Sequence, residues 1–270
     1  MHQFREAVWG ILDQLGLGAE SIAPAEIQGV ANETWLCGRW VVRISKDPEY
    51  LEDLFTESVA VPAAMAAGVP TPRPVHFCLK PTDGRPPFSV FERVQAVPLS
   101  SRTQLADPER FFSALGSALR TTHAIRSVAD PGGYLDESWT LSAEELRADA
   151  RRLGLLAEVE PLLRAATADP SVFVHQDLHA DNLLVDERER PVLIDWGDAG
   201  FGDPAVDFRF IPAQYIGAAL RGYGPVNPDL EARIKLHVFE QFARKSTRRE
   251  DYGPLGESEF EALVGLLARD

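Results

Sequence analysis

Cysteine is scarce in this sequence, with only Cys37 and Cys78 among 270 residues. Two cysteines cannot build a disulfide framework, and no cluster of cysteine and histidine has the spacing of a zinc site. We therefore expect a protein of a reducing compartment, the cytoplasm, that holds no zinc.

Basic residues are also in deficit: 27 Lys and Arg face 41 Asp and Glu, for a net charge of −14. Proteins that bind nucleic acid normally carry the opposite sign, so we expect no nucleic-acid partner. An acidic surface concentrates cationic ligands, although the same excess also serves solubility.

Long apolar runs are missing as well. The most apolar stretch, residues 59–69, is too short to cross a bilayer and contains Pro62. Arg5, Glu6 and Asp13 occupy the region where a signal peptide would be apolar. We expect neither a membrane partner nor a secretory leader. With 45% apolar residues, the chain can bury a large core, near the length at which one core divides into two lobes.

The most informative stretch is residues 173–208. Apolar residues at 172–174, 183–185 and 192–194 predict short strands, and the polar segment 186–190 predicts a turn between the last two. Carboxylates follow the strand ends, and such like charges are costly as neighbours unless a cation lies among them.

Three of these polar residues have the spacing that phosphoryl transfer requires. Asp177 and Asn182 are five positions apart, and Asp195 lies one strand later. They could supply a base for the acceptor hydroxyl, an amide oxygen for Mg²⁺ and a carboxylate for bridging metal ions. The stretch therefore predicts magnesium-dependent phosphoryl transfer.

The whole stretch resembles the catalytic and metal-binding segments of the aminoglycoside phosphotransferase and choline kinase superfamily. The resemblance rests on His175-x-Asp177-Leu-His179-x-x-Asn182, Ile-Asp195-Trp-Gly197 and Asp203-Pro204-x-x-Asp207. It extends less specifically over about residues 20–250. Gln176 departs from the pattern, because the family often has glycine there.

This resemblance implies an α+β, two-lobed, protein-kinase-like fold. Residues 1–94 would form a small β-rich, nucleotide-binding lobe that ends in the hinge. Residues 95–270 would form a larger, mostly helical lobe with a catalytic β-hairpin and the substrate site. Periodicity and end signals predict the helices; they lie at 3–16, from 47 to beyond 58, from 107, 142–168 with weak points at Gly154 and Pro161, 208–220, 229–243 and 259–267.

The resemblance also implies roles for the catalytic segment. Asp177 would accept or orient the proton of the attacking hydroxyl, and Asn182 and Asp195 would hold Mg²⁺. His175 would support the loop, and Asp207 would tie it down through backbone N–H groups.

Further polar residues have two interpretations each. His179 could be structural or contact the substrate, and Asp181 and Asp198 could meet a cationic substrate or simply be solvated. We interpret His123 as a packed residue at a helix end. Asp203 is expected to cap a helix.

The nucleotide would be held from the N-terminal lobe. Arg43 matches the strand position that binds phosphates, with Glu57 as its brace and Lys46 as an alternative cation. Gly29 and Asn32 would suit a loop over the phosphates, although an ordinary hairpin turn explains them too.

The hinge is predicted at residues 91–94. Backbone groups around Glu92 and Val94 would hold the purine of ATP or GTP, so these side chains do not select between the two nucleotides.

The predicted function is transfer of the γ-phosphoryl group of ATP or GTP to a hydroxyl of an aminoglycoside-like antibiotic or a related cationic small molecule. Choline, a macrolide or a sugar amine are alternative acceptors. A protein kinase is disfavoured, because Asp207 lies only twelve positions after Asp195 and no Ala-Pro-Glu follows. A non-catalytic pseudokinase would have lost one of the three chemical positions. The enzyme is expected to be a monomer or a homodimer.

Overall fold

The computed structural model describes residues 2–29, 31–47, 51–81, 86–137, 139–168, 170–247 and 256–268. The helices are α1 (His2–Gln14), α2 (Leu51–Ala66), α3 (Pro108–His123), α4 (Ala143–Leu153), α5 (Leu156–Ala165), α6 (Ile216–Tyr223), α7 (Pro228–Thr247) and α8 (Glu257–Leu267). The strands are β1 (Ala23–Pro24), β2 (Asn32–Cys37), β3 (Trp40–Ser45), β4 (Pro74–Cys78), β5 (Phe88–Glu92), β6 (Ala96–Pro98), β7 (Asp136–Glu137), β8 (Val172–Val174), β9 (Leu183–Asp186), β10 (Pro191–Leu193) and β11 (Gly200–Gly202).

The N-terminal region is an antiparallel sheet with strand order β1-β2-β3-β5-β4. Successive side chains of a strand point to opposite faces. In β3 this alternation buries Val42 and Ile44 completely in a core that also contains Val8 and Ile11 of α1. Arg43 therefore lies on the other face of β3, toward α2 and the rest of the chain.

The C-terminal region is mostly helical, and its large core encloses the aromatic side chains of Phe111, Phe173, Trp196, Phe208 and Phe239. A mixed α+β fold with a small antiparallel sheet followed by a helical region confirms the predicted fold class. Residues of α2 and Phe91 of β5 also pack into this core. A division at residue 94 stays a prediction.

Two three-stranded sheets carry the catalytic segment. One has the order β10-β9-β6 and includes the predicted hairpin, while the other has the order β7-β11-β8. The loop 175–182 leaves β8 of one sheet and enters β9 of the other. The backbone of the loop is thus fixed at both ends by strands.

The helical segment predicted at 142–168 is broken at Gly154 as expected, because Gly154 adopts a left-handed conformation with φ of 74° and ends α4. Pro161, the other predicted weak point, lies inside α5 and does not end it. One helix prediction needs correction. The helix predicted to begin at Phe208 begins at Ile216 instead, and the preceding residues form 3₁₀ turns interrupted at Pro212. The predicted start of α2 falls partly on Pro48, which lies outside the described residues.

None of the helices in the described part of the chain is long and apolar enough to cross a membrane. Cys37 is buried and Cys78 is partly exposed, and the two do not form a disulfide.

Helices α3 and α6 pack with their backbones in direct contact. A Cβ atom added to Gly116 would lie within 3.0 Å of the Ala219 carbonyl oxygen, and one added to Gly222 would meet the Ser113 carbonyl in the same way. Neither carbonyl can move without shifting its helix.

We therefore expect Gly116→Ala to lower the free energy of unfolding by about 3 kcal/mol or more, at the upper end of overpacking costs. Urea denaturation measures the change. Gly265→Ala in α8 is the matched control, because an added Cβ atom there meets nothing within 4 Å. It should stabilise the protein by about 0.5–1 kcal/mol through helix propensity. Equal effects of the two variants would contradict the packing argument.

Candidate active site

The loop 175–182 is anchored by a buried carboxylate. Asp207 is fully buried, and its carboxylate accepts hydrogen bonds from the backbone N–H groups of His175 (3.0 Å) and Gln176 (2.7 Å). The His175 ring in turn contacts the Ile194 carbonyl oxygen through Nε2 at 3.0 Å, which joins the loop to the end of the hairpin. The geometry is compatible with the supporting roles predicted for His175 and Asp207.

The anchor extends to residues whose role sequence reasoning missed. His123 at the end of α3 places Nε2 3.0 Å from Asp207 and Nδ1 2.9 Å from the Tyr223 hydroxyl. Burial would raise the pKa of Asp207, but the hydrogen bond with His123 lowers it below its usual value. His123 therefore does more than pack, and only the tertiary contact between 123 and 207 reveals it.

Asp177 lies at the centre of the loop with 28% of its side chain exposed. The Asn182 amide Nδ2 donates to its carboxylate at 3.0 Å, and His179 Nε2 lies 3.3 Å from it. Burial would raise the pKa of Asp177, but the contact with His179 lowers it overall. The same contact raises the pKa of His179. Asp177 is thus a partly exposed, ionised carboxylate at the position predicted for the base.

Arg43 joins the N-terminal sheet to the catalytic hairpin. Its guanidinium forms a close ion pair with Glu57 of α2 and places Nη2 2.8 Å from Asp195 Oδ1. Burial works against the charge of Arg43, but the two carboxylates raise its pKa. Burial raises the pKa of Glu57 to about 7, and the charge of Asp195 adds to the rise, although the contact with Arg43 works against it.

Backbone strain is concentrated at the site. Gln176 and Asp195 both have positive φ values, of 71° and 63°, which non-glycine residues rarely adopt. The Gln176 side chain donates to the Asp198 carbonyl at 2.8 Å and accepts from the Trp139 backbone N–H at 2.8 Å. These bonds hold a side chain where the family often has glycine.

The predicted magnesium ligands are oxygen donors. The Asn182 Nδ2 group donates to Asp177, so the other branch of the amide, Oδ1, is directed away from Asp177. The Asp195 side chain is 35% exposed. No group of three or more His, Cys, Asp or Glu side chains among the described residues could hold a metal ion. A site with few protein ligands suits Mg²⁺, which usually keeps waters and takes phosphate oxygens as further ligands.

The remaining predicted nucleotide contacts lie along the N-terminal sheet. Asn32 opens β2 and is buried, while Gly29 is exposed and its carbonyl accepts from Lys46 Nζ at 2.6 Å. At the predicted hinge, the Glu92 backbone N–H donates to the Arg73 carbonyl and Glu92 ends β5, and Val94 lies between β5 and β6.

Two predicted substrate contacts differ in their surroundings. Asp181 is half exposed; its carboxylate accepts from the Ser100 hydroxyl and lies 3.7 Å from His179 Nδ1. Asp198 is exposed beside the strained loop. Asp203 caps the 3₁₀ turn 204–208 through the Ala205 N–H, as predicted.

Arg209 is the second residue that sequence reasoning missed. It follows the turn that carries Asp207, and its Nη2 lies 3.8 Å from Asp177 Oδ1. Its guanidinium covers the Phe210 ring at 4.5 Å and lies 5.5 Å from the centre of the Trp139 ring. The helix predicted from the hydrophobic spacing after Phe208 did not indicate that the Arg209 side chain is directed toward Asp177.

A cavity of about 440 Å³ is lined by Trp139, whose ring faces this arginine. It is walled by residues of α4, α7 and the segment before α4, namely Trp139, Thr140, Leu141, Ser142, Glu145, Leu146, Ala148, Asp149, Glu240 and Arg244. Three of these residues are acidic. The Trp139 ring is in contact with two arginines, because the Arg244 guanidinium lies 4.6 Å from its centre and Arg209 lies 5.5 Å away.

Solved structures with the same fold include phosphotransferases. Spectinomycin phosphotransferase in complex with ADP and spectinomycin is 16% identical, with a TM-score of 0.61 over 96% of this chain and 93% of that one. Macrolide 2′-phosphotransferase from Brachybacterium faecium is 20% identical, with a TM-score of 0.59 over 98% and 99%. Choline kinase from Streptococcus pneumoniae is 15% identical, with a TM-score of 0.56 over 98% and 99%.

No curated protein matches the chain in sequence. The model of the phosphotransferase enzyme family matches residues 25–234, which include the sheet, the catalytic loop and the hairpin. The match covers most of the chain and every residue of the motifs that carry the resemblance. The chain therefore belongs to the phosphotransferase enzyme family.

Proposed function

We propose that the protein is a small-molecule kinase that transfers the γ-phosphoryl group of ATP or GTP to a hydroxyl of an aminoglycoside-like acceptor. The observation that carries the proposal is the position of Arg43, which pairs with Glu57 of α2 and with Asp195 of the hairpin. A cation held there meets the phosphates, and Asp177 lies beyond them in the adjacent loop.

Each residue has a task in this scheme. Asp177 accepts the hydrogen bond of the acceptor hydroxyl and takes up its proton as the phosphoryl group departs from the nucleotide. Asn182 orients the Asp177 carboxylate through Nδ2. Asn182 Oδ1 and Asp195 would hold Mg²⁺, which when bound neutralises charge on the phosphates.

The cavity beside Trp139 is the proposed acceptor site. Its carboxylates, from Glu145, Asp149 and Glu240, favour acceptors with amino groups. Solved relatives act on spectinomycin, macrolides and choline, which supports a hydroxyl of a small molecule as the acceptor and leaves macrolides, sugar amines and choline as alternatives. The cytoplasm is the proposed location.

Thermal-shift measurements test the proposal. The protein is heated with Mg·ATP or Mg·GTP, each alone and with kanamycin, spectinomycin, a macrolide, choline or an amino sugar. A ligand at a hundred times its Kd stabilises the folded state by about 2.7 kcal/mol. Stabilisation by one nucleotide and one acceptor, followed by turnover of that pair, is expected. Nucleotide binding without turnover of any acceptor would favour a pseudokinase.

The role of Asp195 can be tested without an acceptor. We expect Asp195→Asn to abolish the increase in nucleotide affinity that Mg²⁺ produces in the wild type, because a carboxylate ligand is lost. Calorimetric titration of nucleotide with and without Mg²⁺ measures the effect. Glu187→Gln, an exposed acid in the turn of the same hairpin, should retain the wild-type magnesium effect. An unchanged magnesium effect in Asp195→Asn would rule out this ligand.

A further inference from the structure

Arg209 carries hydrogen-bonding capacity that the protein does not use. Its side chain is only 12% exposed, and its Nε is buried with no hydrogen-bond partner among the described residues. The nearest oxygen of Asp177 is 3.8 Å away, beyond hydrogen-bond distance. Nη2, the nitrogen that faces Asp177, thus makes no hydrogen bond to that carboxylate, and an oxygen of a bound molecule beside Asp177 can accept from it.

The position of this donor defines what could satisfy it. Arg209 lies between Asp177, which faces the reacting hydroxyl, and Trp139, which lines the acceptor cavity. The guanidinium is held over the Phe210 ring, and burial lowers its pKa without removing its charge at neutral pH. Because it contacts both Asp177 and the cavity residue Trp139, the guanidinium is positioned to meet an acceptor that extends from the cavity to Asp177.

We propose that Arg209 is a specificity-determining residue that binds an oxygen of the acceptor next to the hydroxyl to be phosphorylated. This inference rests on the proposed kinase function and narrows its acceptor class. Acceptors with a hydroxyl or ether oxygen on the neighbouring carbon satisfy Arg209. Acceptors with a cationic nitrogen at that position are repelled by it, and choline is such an acceptor because its ammonium group is two carbons from its hydroxyl.

The charges of the cavity wall fit the same acceptor. Glu145, Asp149 and Glu240 line the cavity, where amino groups of a sugar could lie. Arg244 is already paired with Glu240 through Nε at 3.2 Å, which distinguishes it from Arg209. The site thus combines an oxygen-binding cation beside Asp177 with acids in the cavity wall, a pattern that suits an amino sugar and opposes a small quaternary ammonium alcohol.

Arg209→Gln tests the proposal with the acceptor that the wild type phosphorylates best, Mg·nucleotide being present. We expect the KM for that acceptor to rise by about 10- to 100-fold, the effect of a hydrogen bond to a charged group. The KM for the nucleotide should stay within about twofold, because the contacts of Arg209 are with Asp177, Phe210 and Trp139, which are not among the residues proposed to hold the nucleotide. Arg147→Gln on the opposite side of α4, where Arg147 pairs with Glu160 at 3.0 Å, is the matched control and should change neither constant.

A second acceptor identifies the contact itself. A deoxy derivative that lacks the oxygen next to the reacting hydroxyl should lose about the same 10- to 100-fold in kcat/KM with the wild type. With Arg209→Gln the two acceptors should differ by less than about twofold, since residue and oxygen act as a pair. Arg209→Lys keeps the charge but loses the planar fork, so it should still reject choline and restore only part of the affinity.

The outcomes separate the two proposals. Transfer by the wild type, with an acceptor KM that Arg209→Gln leaves unchanged, overturns the role of Arg209 and leaves the kinase function standing. Preferred phosphorylation of choline by the wild type overturns it as well. If no acceptor is phosphorylated, the kinase function is wrong, and calorimetric binding of the same acceptors then tests Arg209 by itself. Acceptor binding that Arg209→Gln leaves unchanged, or no acceptor binding at all, overturns the role of Arg209. Circular dichroism and melting of each variant show that it is folded.

Discussion

Replacing Asp177 by Asn is expected to lower kcat by about 100- to 10,000-fold, which is the usual contribution of a positioned general base. The amide has the size of the carboxylate and can still meet the Asn182 side chain, so the loop should keep its shape. It cannot take up the proton of the acceptor hydroxyl. Affinity for Mg·nucleotide, measured by calorimetry, should stay within about threefold.

Asp107→Asn is the matched control for this variant. Asp107 caps α3 through the Arg110 N–H, and Asn caps helices equally well. Its kcat should equal that of the wild type. A fall of less than tenfold in Asp177→Asn would show that another group accepts the proton.

Replacing Arg43 by Met is expected to destabilise the protein by about 3–5 kcal/mol, because it leaves the carboxylate of Glu57 buried without its cation. Only 2% of the Glu57 side chain is exposed, and Asp195 adds a second negative charge on the same guanidinium. Nucleotide affinity should fall as well, since the cation proposed to meet the phosphates is gone. Urea denaturation and calorimetry measure the two effects.

The loss of stability in Arg43→Met should depend on pH. The folded-state pKa of Glu57 is already raised from 4.5 to about 7, and removal of Arg43 raises it further. The folded state is then most stable below the pKa that Glu57 has in the unfolded chain, and this stability is lost as pH rises through the pKa of Glu57 in the folded state. The variant should therefore be closer to the wild type at pH 5 than at pH 8.

Two further variants serve as controls for Arg43→Met. The double variant Arg43→Met/Glu57→Leu removes the buried acid together with its cation and should recover part of the stability at pH 8. Arg39→Met removes an exposed arginine whose partner Glu92 is 3.9 Å away, and it should cost less than about 1 kcal/mol. An effect of Arg43→Met as small as that of Arg39→Met would contradict the buried-pair argument.

The sequence was most informative where function requires fixed residues at fixed spacing. Asp177, Asn182 and Asp195 lie within one loop and one hairpin, so local spacing is enough to predict that they meet. The fold class followed from the same motif and from the change of hydrophobic period along the chain. Arg43 could be selected by strand register, because Val42 and Ile44 on either side must face the core.

Other features depend on contacts between distant parts of the chain. His123 and Asp207 are 84 positions apart, and neither has a local pattern that indicates the other. The helix predicted from Phe208 was wrong for its first part, because apolar residues at helical spacing also suit a chain of 3₁₀ turns around a buried carboxylate. Arg209 was missed for the same reason, since its direction depends on those turns.

The anchoring of the catalytic loop by Asp207 has a consequence for how such an enzyme can diversify. The base is held from the inside of the molecule, through His123 of α3 and Tyr223 of α6, whereas the cavity wall belongs mainly to α4 and α7. Substitutions in the wall can therefore accumulate without displacing the base. The acceptor could therefore change in evolution through substitutions in the cavity wall alone. Position 209 is different, because Arg209 contacts both Trp139 of the wall and Asp177, so a substitution there would also alter the surroundings of the base.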